Sequence, residues 1–126
     1  MFKANGKVYG LGDRIGGRDC RISDISVLKE AIKSERVPVV SDFGGEDWDK
    51  VIGHAELSVK GNAVCADLTL YSEEADLDPD LKLGFFATSV RFGKDDIGEV
   101  VKSMSIRSIS LSNAGLGGPL ENVKKG

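Results

Sequence analysis

Between Ala63 and Tyr71 the chain alternates without a break: Val64, Ala66, Leu68 and Leu70 are apolar, and Cys65, Asp67, Thr69 and Tyr71 fall between them. Successive side chains of a strand point to opposite faces, so this period of two predicts a strand with one face buried. Val51 to Val59 reads as a second strand, and Lys60-Gly61-Asn62 supplies the turn between them. Together they predict a hairpin over 51–71 and place the chain in the β-rich class.

The remaining segments fit around that hairpin. Phe2 to Leu11 reads as a first strand and turn. Ser23 or Asp24 can cap a helix over 24–34, in which Ile25, Leu28 and Ile32 share one face with Val27 and Ala31 beside them. Arg36 to Val40 predicts a short strand, with Pro38 at an edge or at a point where its missing N–H is not needed. A polar loop, Ser41 to Lys50, carries Gly44-Gly45 and Trp48. The acidic run Ser72 to Asp80 reads as a solvated loop leading into a short helix near Asp80 to Leu83. Phe85 to Phe92 predicts an aromatic, β-branched strand, Asp95 or Asp96 starts a second short helix through Val100-Val101, and Ile106 to Leu111 closes the domain. The expected fold is therefore α+β and predominantly β, one domain over 1–114, with a Gly-rich flexible or partner-ordered tail over 115–126.

A length of 126 residues suits one core. The net charge of −3 gives no reason to attract a phosphate backbone, so nucleic acid is not the expected partner. No stretch approaches the roughly 20 apolar residues that span a bilayer, and the N-terminus lacks the apolar core of a signal peptide, so synthesis and residence in the cytosol are expected. Cys20 and Cys65 are far apart and lack CxxC spacing, and with a single His no four-ligand zinc set exists. Two free, mostly buried thiols are expected; one disulfide is the less favoured alternative. The acidic run lacks the spacing of a calcium loop. No cofactor or metal is expected.

Taken in order, a helix, a strand, a loop, a hairpin opening Val51-Ile52-Gly53, an acidic connection, the strand Thr88-Ser89-Val90-Arg91-Phe92 and a strand reading Ser108-Ile109-Ser110-Leu111 make a recognisable series. It resembles the prohead proteases of tailed phages, relatives of the herpesvirus assemblins, over roughly residues 25 to 115. In that family an Asn-His-Asp-like triplet precedes the Ile-Gly of the hairpin, the nucleophile lies in a Ser-Ile-Gly-Phe-like strand, and a later strand reads Glu-Ile-Ser-Leu. The resemblance implies a small β-barrel with one or two short packed helices, and it places the nucleophile at Ser89.

A serine hydroxyl needs a base within hydrogen-bond reach and a third group to orient that base. Where the family has its His, this chain reads Val39-Val40-Ser41-Asp42-Phe43-Gly44, and Phe43 cannot take a proton. Ser108 stands where the family has its acid. The single His, His54, is displaced along the hairpin and reads as an exposed or partly satisfied structural residue; using it as base would need a changed strand register. Lys82, Lys94 and Lys102 read as solvated, and Cys65 lacks a partner at any recognisable spacing.

The expectation is a pseudo-protease: a non-catalytic capsid decoration or cement protein in the virion, bound to the major capsid protein or other capsid subunits. A homo-oligomer would be in keeping with the assemblins. The alternative is an active serine peptidase of prohead maturation using Ser89 with His54. A third reading is a peptide- or small-molecule-binding barrel unrelated to phage, its pocket lined by Phe85, Phe86, Phe92 and Trp48.

Overall fold

The computed structural model describes residues 2–15, 20–32, 36–41, 51–71, 81–112 and 117–125. Among them the chain is mostly strand with a single helix: β1 (Phe2–Gly10), β2 (Cys20–Arg21), α1 (Ile25–Ala31), β3 (Arg36–Ser41), β4 (Val51–Lys60), β5 (Ala63–Leu70), β6 (Lys82–Lys94), β7 (Glu99–Ser112) and β8 (Glu121–Lys125). No helix among the described residues is long and apolar enough to cross a membrane.

The predicted hairpin is present. β4 pairs antiparallel with β5 from Gly53↔Leu70 to Lys60↔Ala63, leaving a two-residue turn at Gly61-Asn62. Gly61 has φ +59, which a glycine adopts without a Cβ penalty at the first position of such a turn. Val64, Ala66, Leu68 and Leu70 are all buried, as the alternation requires. Asp24 caps α1 by accepting from the Ser26 N–H at 2.9 Å, and the helix buries Val27, Leu28 and Ala31. The Ser26 bonds hold the Asp24 carboxyl below its usual range.

One sheet contains all eight strands. β5 continues to β1 and then β8, both antiparallel; on its other side β4 continues to β3, which runs parallel to β7. β7 pairs with β6 along its length and with β2 at its first residues. Pro38 sits opposite His54 of β4, while pairing of β3 with β7 begins only at Val39. The N–H that proline lacks is thus not required there.

The structure departs from expectation in four places. The sheet is open, not a closed barrel: β1 is occupied by β8 on its free side, and no ladder joins β6 to β1. A short crossing substitutes for that ladder, with Gly117 N–H donating to Leu83 O at 2.8 Å, Leu83 N–H to Gly118 O at 3.0 Å and Gly118 N–H to Lys7 O at 2.8 Å. The helix expected from Asp95 or Asp96 to Val101 is a turn followed by β7. The Asp95 carboxylate accepts from the N–H groups of Ile97 and Gly98 at 2.8 and 3.0 Å, which fixes a turn in place of a helix start. Lys82 and Leu83, expected in a short helix from Asp80, belong to β6; Asp80 lies outside the described residues. In the segment expected as a tail, Glu121–Lys125 forms β8 on β1.

The buried apolar residues of the sheet and of α1 form one core cluster. Val8, Leu28, Val39, Val64, Leu83, Ile109 and Leu111 are almost fully enclosed there. Tyr9 is buried with them and meets Phe85 edge-on, ring centroids 6.0 Å apart. Its hydroxyl accepts from the Ile22 N–H at 2.9 Å and donates to the Asp13 carbonyl. Burial pushes the Tyr9 hydroxyl pKa up.

Candidate functional site

Ser89 stands in β6 at a bulge. Thr88 pairs with Ser105 and Arg91 with Ser103, so Ser89 and Val90 together face the single residue Met104. Ser89 takes the strain of that extra residue with φ +55, a left-handed conformation uncommon outside glycine. The bulge lets Val90 pack against the core while Ser89 stays exposed.

His54 lies on the outer face of β4, half-buried, and both ring nitrogens are engaged. Nδ1 is 2.8 Å from the Tyr71 hydroxyl and Nε2 is 2.9 Å from a guanidinium nitrogen of Arg36. A guanidinium only donates, so Nε2 must accept and the ring proton sits on Nδ1, donating to Tyr71. Arg36 in turn is 3.8 Å from Glu56, an exposed pair.

The structure does not bring these two candidates together. His54 faces Pro38 on β3, Pro38 is the residue before the Val39↔Ile109 pair, and Ser108 of β7 faces Phe86 of β6. His54 is therefore three strand spacings from β6, roughly 14 Å, with Ser89 three residues further along that strand. Ser108 is buried on β7 and flanks neither. Lys82, Lys94 and Lys102 are exposed. Cys20 and Cys65 are both free thiols, the first buried, the second partly so. Among the described residues no cluster of His, Cys, Asp and Glu could hold a metal ion. Phe43 and Trp48 lie outside the described residues.

What the outer face does present is a groove of about 500 Å³ across β6, β7, β3 and β4, lined by Pro38, Val40, Val51, Phe86, Ala87, Arg107 and Ser108. Two irregularities build it. In β4 the register steps from Val39↔Gly53 to Val40↔Val51, leaving Ile52 as an extra residue. Strict alternation from buried Gly53 would turn Val51 inward; the extra residue turns it outward beside Val40, and it is 51% exposed. In β7 the register steps from Phe86↔Ser108 to Ala87↔Ile106, leaving Arg107 as the extra residue, exposed at the rim. The three aromatics expected to line one pocket separate: Phe85 packs on Tyr9 in the core, Phe86 lines the groove, and Phe92 lies elsewhere on the surface, 52% exposed.

Sequence reasoning did not find the groove. Its one trace in the sequence is Phe86, an apolar residue immediately after core-facing Phe85; Val51 keeps the parity of Gly53, Ala55 and Leu57 and so carries no such mark. Compared with models of known protein families, with curated proteins and with solved structures, the chain has no significant match.

Proposed function

We propose that this chain is a non-catalytic structural protein of a tailed phage, derived from a prohead-protease-type fold and docking on the major capsid protein as a decoration or cement subunit. The observation that carries the non-catalytic part is the separation of Ser89 from His54, together with the engagement of both imidazole nitrogens by Tyr71 and Arg36. A base must have a free lone pair within hydrogen-bond reach of the hydroxyl it activates, and His54 offers Ser89 neither. The phage lineage rests on the order of the Ile52-Gly53, Ser89 and Ile109-Ser110-Leu111 segments. An open sheet in which Gly117-Gly118 bridges Leu83 of β6 and Lys7 of β1 is compatible with descent from a barrel.

The deciding experiment is quantitative mass spectrometry of purified virions from the source, giving the copy number of this chain relative to the major capsid protein. A fixed, high ratio in mature particles is the expected result. Absence from mature particles overturns the decoration reading.

A further inference from the structure

We infer that the groove between β6 and β4 is a docking site for an extended protein segment that carries apolar side chains and a carboxylate, with Arg107 as the carboxylate's partner. The proposal deepens the reading of the chain as a binding protein, and rests on it, by naming the chemistry of what is bound.

The groove has an apolar floor and wall in Pro38, Val40, Val51 and Phe86. Among the described residues no acidic one lines it, and none brings a carboxylate within salt-bridge distance of Arg107, which does line it. A guanidinium beside apolar surface presents a planar fork of donors that matches a carboxylate. Arg91, Lys94, Lys102 and Arg107 are all exposed on β6 and β7, whereas Glu99 is the sole acid in either strand. The Lys102 stem crosses directly over Gly93, where a Cβ would meet its Cε at 2.5 Å, so this cation too lies against β6. In a chain with net charge −3, two cation-rich strands beside an apolar groove, one of them carrying Arg107 at its rim, are a local departure that selects an acidic partner. A second copy joined through this face would set like charges against each other. Apolar pockets along a strand-lined groove suit alternate side chains of an extended segment.

The test uses the full chain and a fluorescein-labelled peptide, Ser-Glu-Val-Thr-Val-Glu-Val-Ser, with its two Glu residues replaced by Gln as the control. Fluorescence anisotropy should show binding of the Glu peptide and weaker binding of the Gln peptide, with methyl NMR shifts at Val40 and Val51. Arg107→Glu should weaken the Glu peptide about tenfold or more and gain affinity for a Lys version of the same peptide. Arg107 is exposed, so the variant should keep the wild-type Tm, and the charge swap separates recognition from a folding defect. No binding, equal binding of the Glu and Gln peptides, or indifference to Arg107→Glu would each overturn the proposal. So would displacement of the peptide by a short oligo(dT), which assigns the face to nucleic acid. Binding that appears only after residues 42–50 are replaced by a Gly-Ser linker would identify that segment of the chain as the occupant and overturn it likewise. Co-sedimentation with purified capsids keeps the two readings apart. Capsid binding unaffected by Arg107→Glu leaves the decoration role standing and removes the groove; peptide binding without capsid binding does the reverse.

Discussion

Arg36 donates to Nε2 of His54 across 2.9 Å, and this one contact decides where the imidazole proton resides. With Nε2 accepting, Nδ1 carries the hydrogen and gives it to Tyr71. Nitrogen-15 NMR of the His54 ring at neutral pH should show the Nδ1-protonated tautomer. Arg36→Ala should release that preference toward the Nε2-protonated form, which is the commoner one in water.

The same engagement predicts inertness at Ser89. A fluorophosphonate probe should leave the folded wild type unlabelled, with Ser89→Ala indistinguishable from it. Labelling of wild type that is lost in both Ser89→Ala and His54→Ala would instead establish a working dyad.

Ser89 matters for the backbone in a way its hydroxyl does not. A non-glycine residue in the left-handed region costs about 1 kcal/mol. Ser89→Gly should therefore raise stability by up to about 1 kcal/mol, less the entropy that glycine adds to the unfolded chain. Ser89→Val should lower it by more than that, because a β-branched residue is worst placed there. Urea denaturation of the three proteins checks the order.

Gly117 and Gly118 are adjacent and should respond oppositely to a methyl group. A Cβ on Gly117 would meet the carbonyl oxygens of Leu83, Lys7 and Val8 at 2.5, 2.7 and 2.7 Å, and backbone cannot step aside cheaply. A Cβ on Gly118 would find its nearest neighbour, the Lys7 Cβ, at 3.5 Å, an ordinary contact. Gly117→Ala should cost about 2 kcal/mol or more, seen as a fall of several degrees in Tm, and Gly118→Ala about 0.5 kcal/mol at most.

Asp95 ties the β6–β7 turn to Arg21 as well as to its own loop. The Ile97 N–H, then that of Gly98 and the guanidinium of Arg21 at 2.8 Å, hold its carboxyl below the usual range. A depressed folded-state pKa means that its stabilising contribution is complete above the unfolded value, about pH 4, and fades as pH falls through the folded one. The Tm difference between wild type and Asp95→Ala should therefore be constant near neutrality and narrow in acid. A difference that stays constant throughout would mean that the carboxylate's charge is irrelevant to the turn.

Much of this fold is legible in the amino acids because its elements bury one face. The β4–β5 hairpin and the buried side of α1 announce themselves by period. Legibility fails where burial does not decide. Glu-Asn-Val-Lys-Lys of β8 is exposed wherever its side chains are described, so backbone pairing with β1, with one amide contact from Asn122 to Asn5 beside it, makes it a strand, and no apolar pattern records that. At Asp95 two capping outcomes competed, and an acceptor that can close a turn on Ile97 and Gly98 prevailed over one that could start a helix. The groove was hidden for a third reason. It arises from extra residues at Ile52 and Arg107, each of which inverts the facing of its neighbours, and an inversion is visible only once the partner strand is known.

The parallel pairing of β3 with β7 has a consequence for how the chain must be made. Val39 cannot meet Ile109 until some seventy further residues have left the ribosome, although its antiparallel partner Gly53 arrives early. For that interval β3 is an unfinished border, with the apolar residues Val37 and Val39 and an open row of backbone groups. Pro38, with no N–H to offer, sits in the middle of that border. The residue that the finished sheet merely tolerates is well placed to discourage a neighbouring nascent chain from pairing there first.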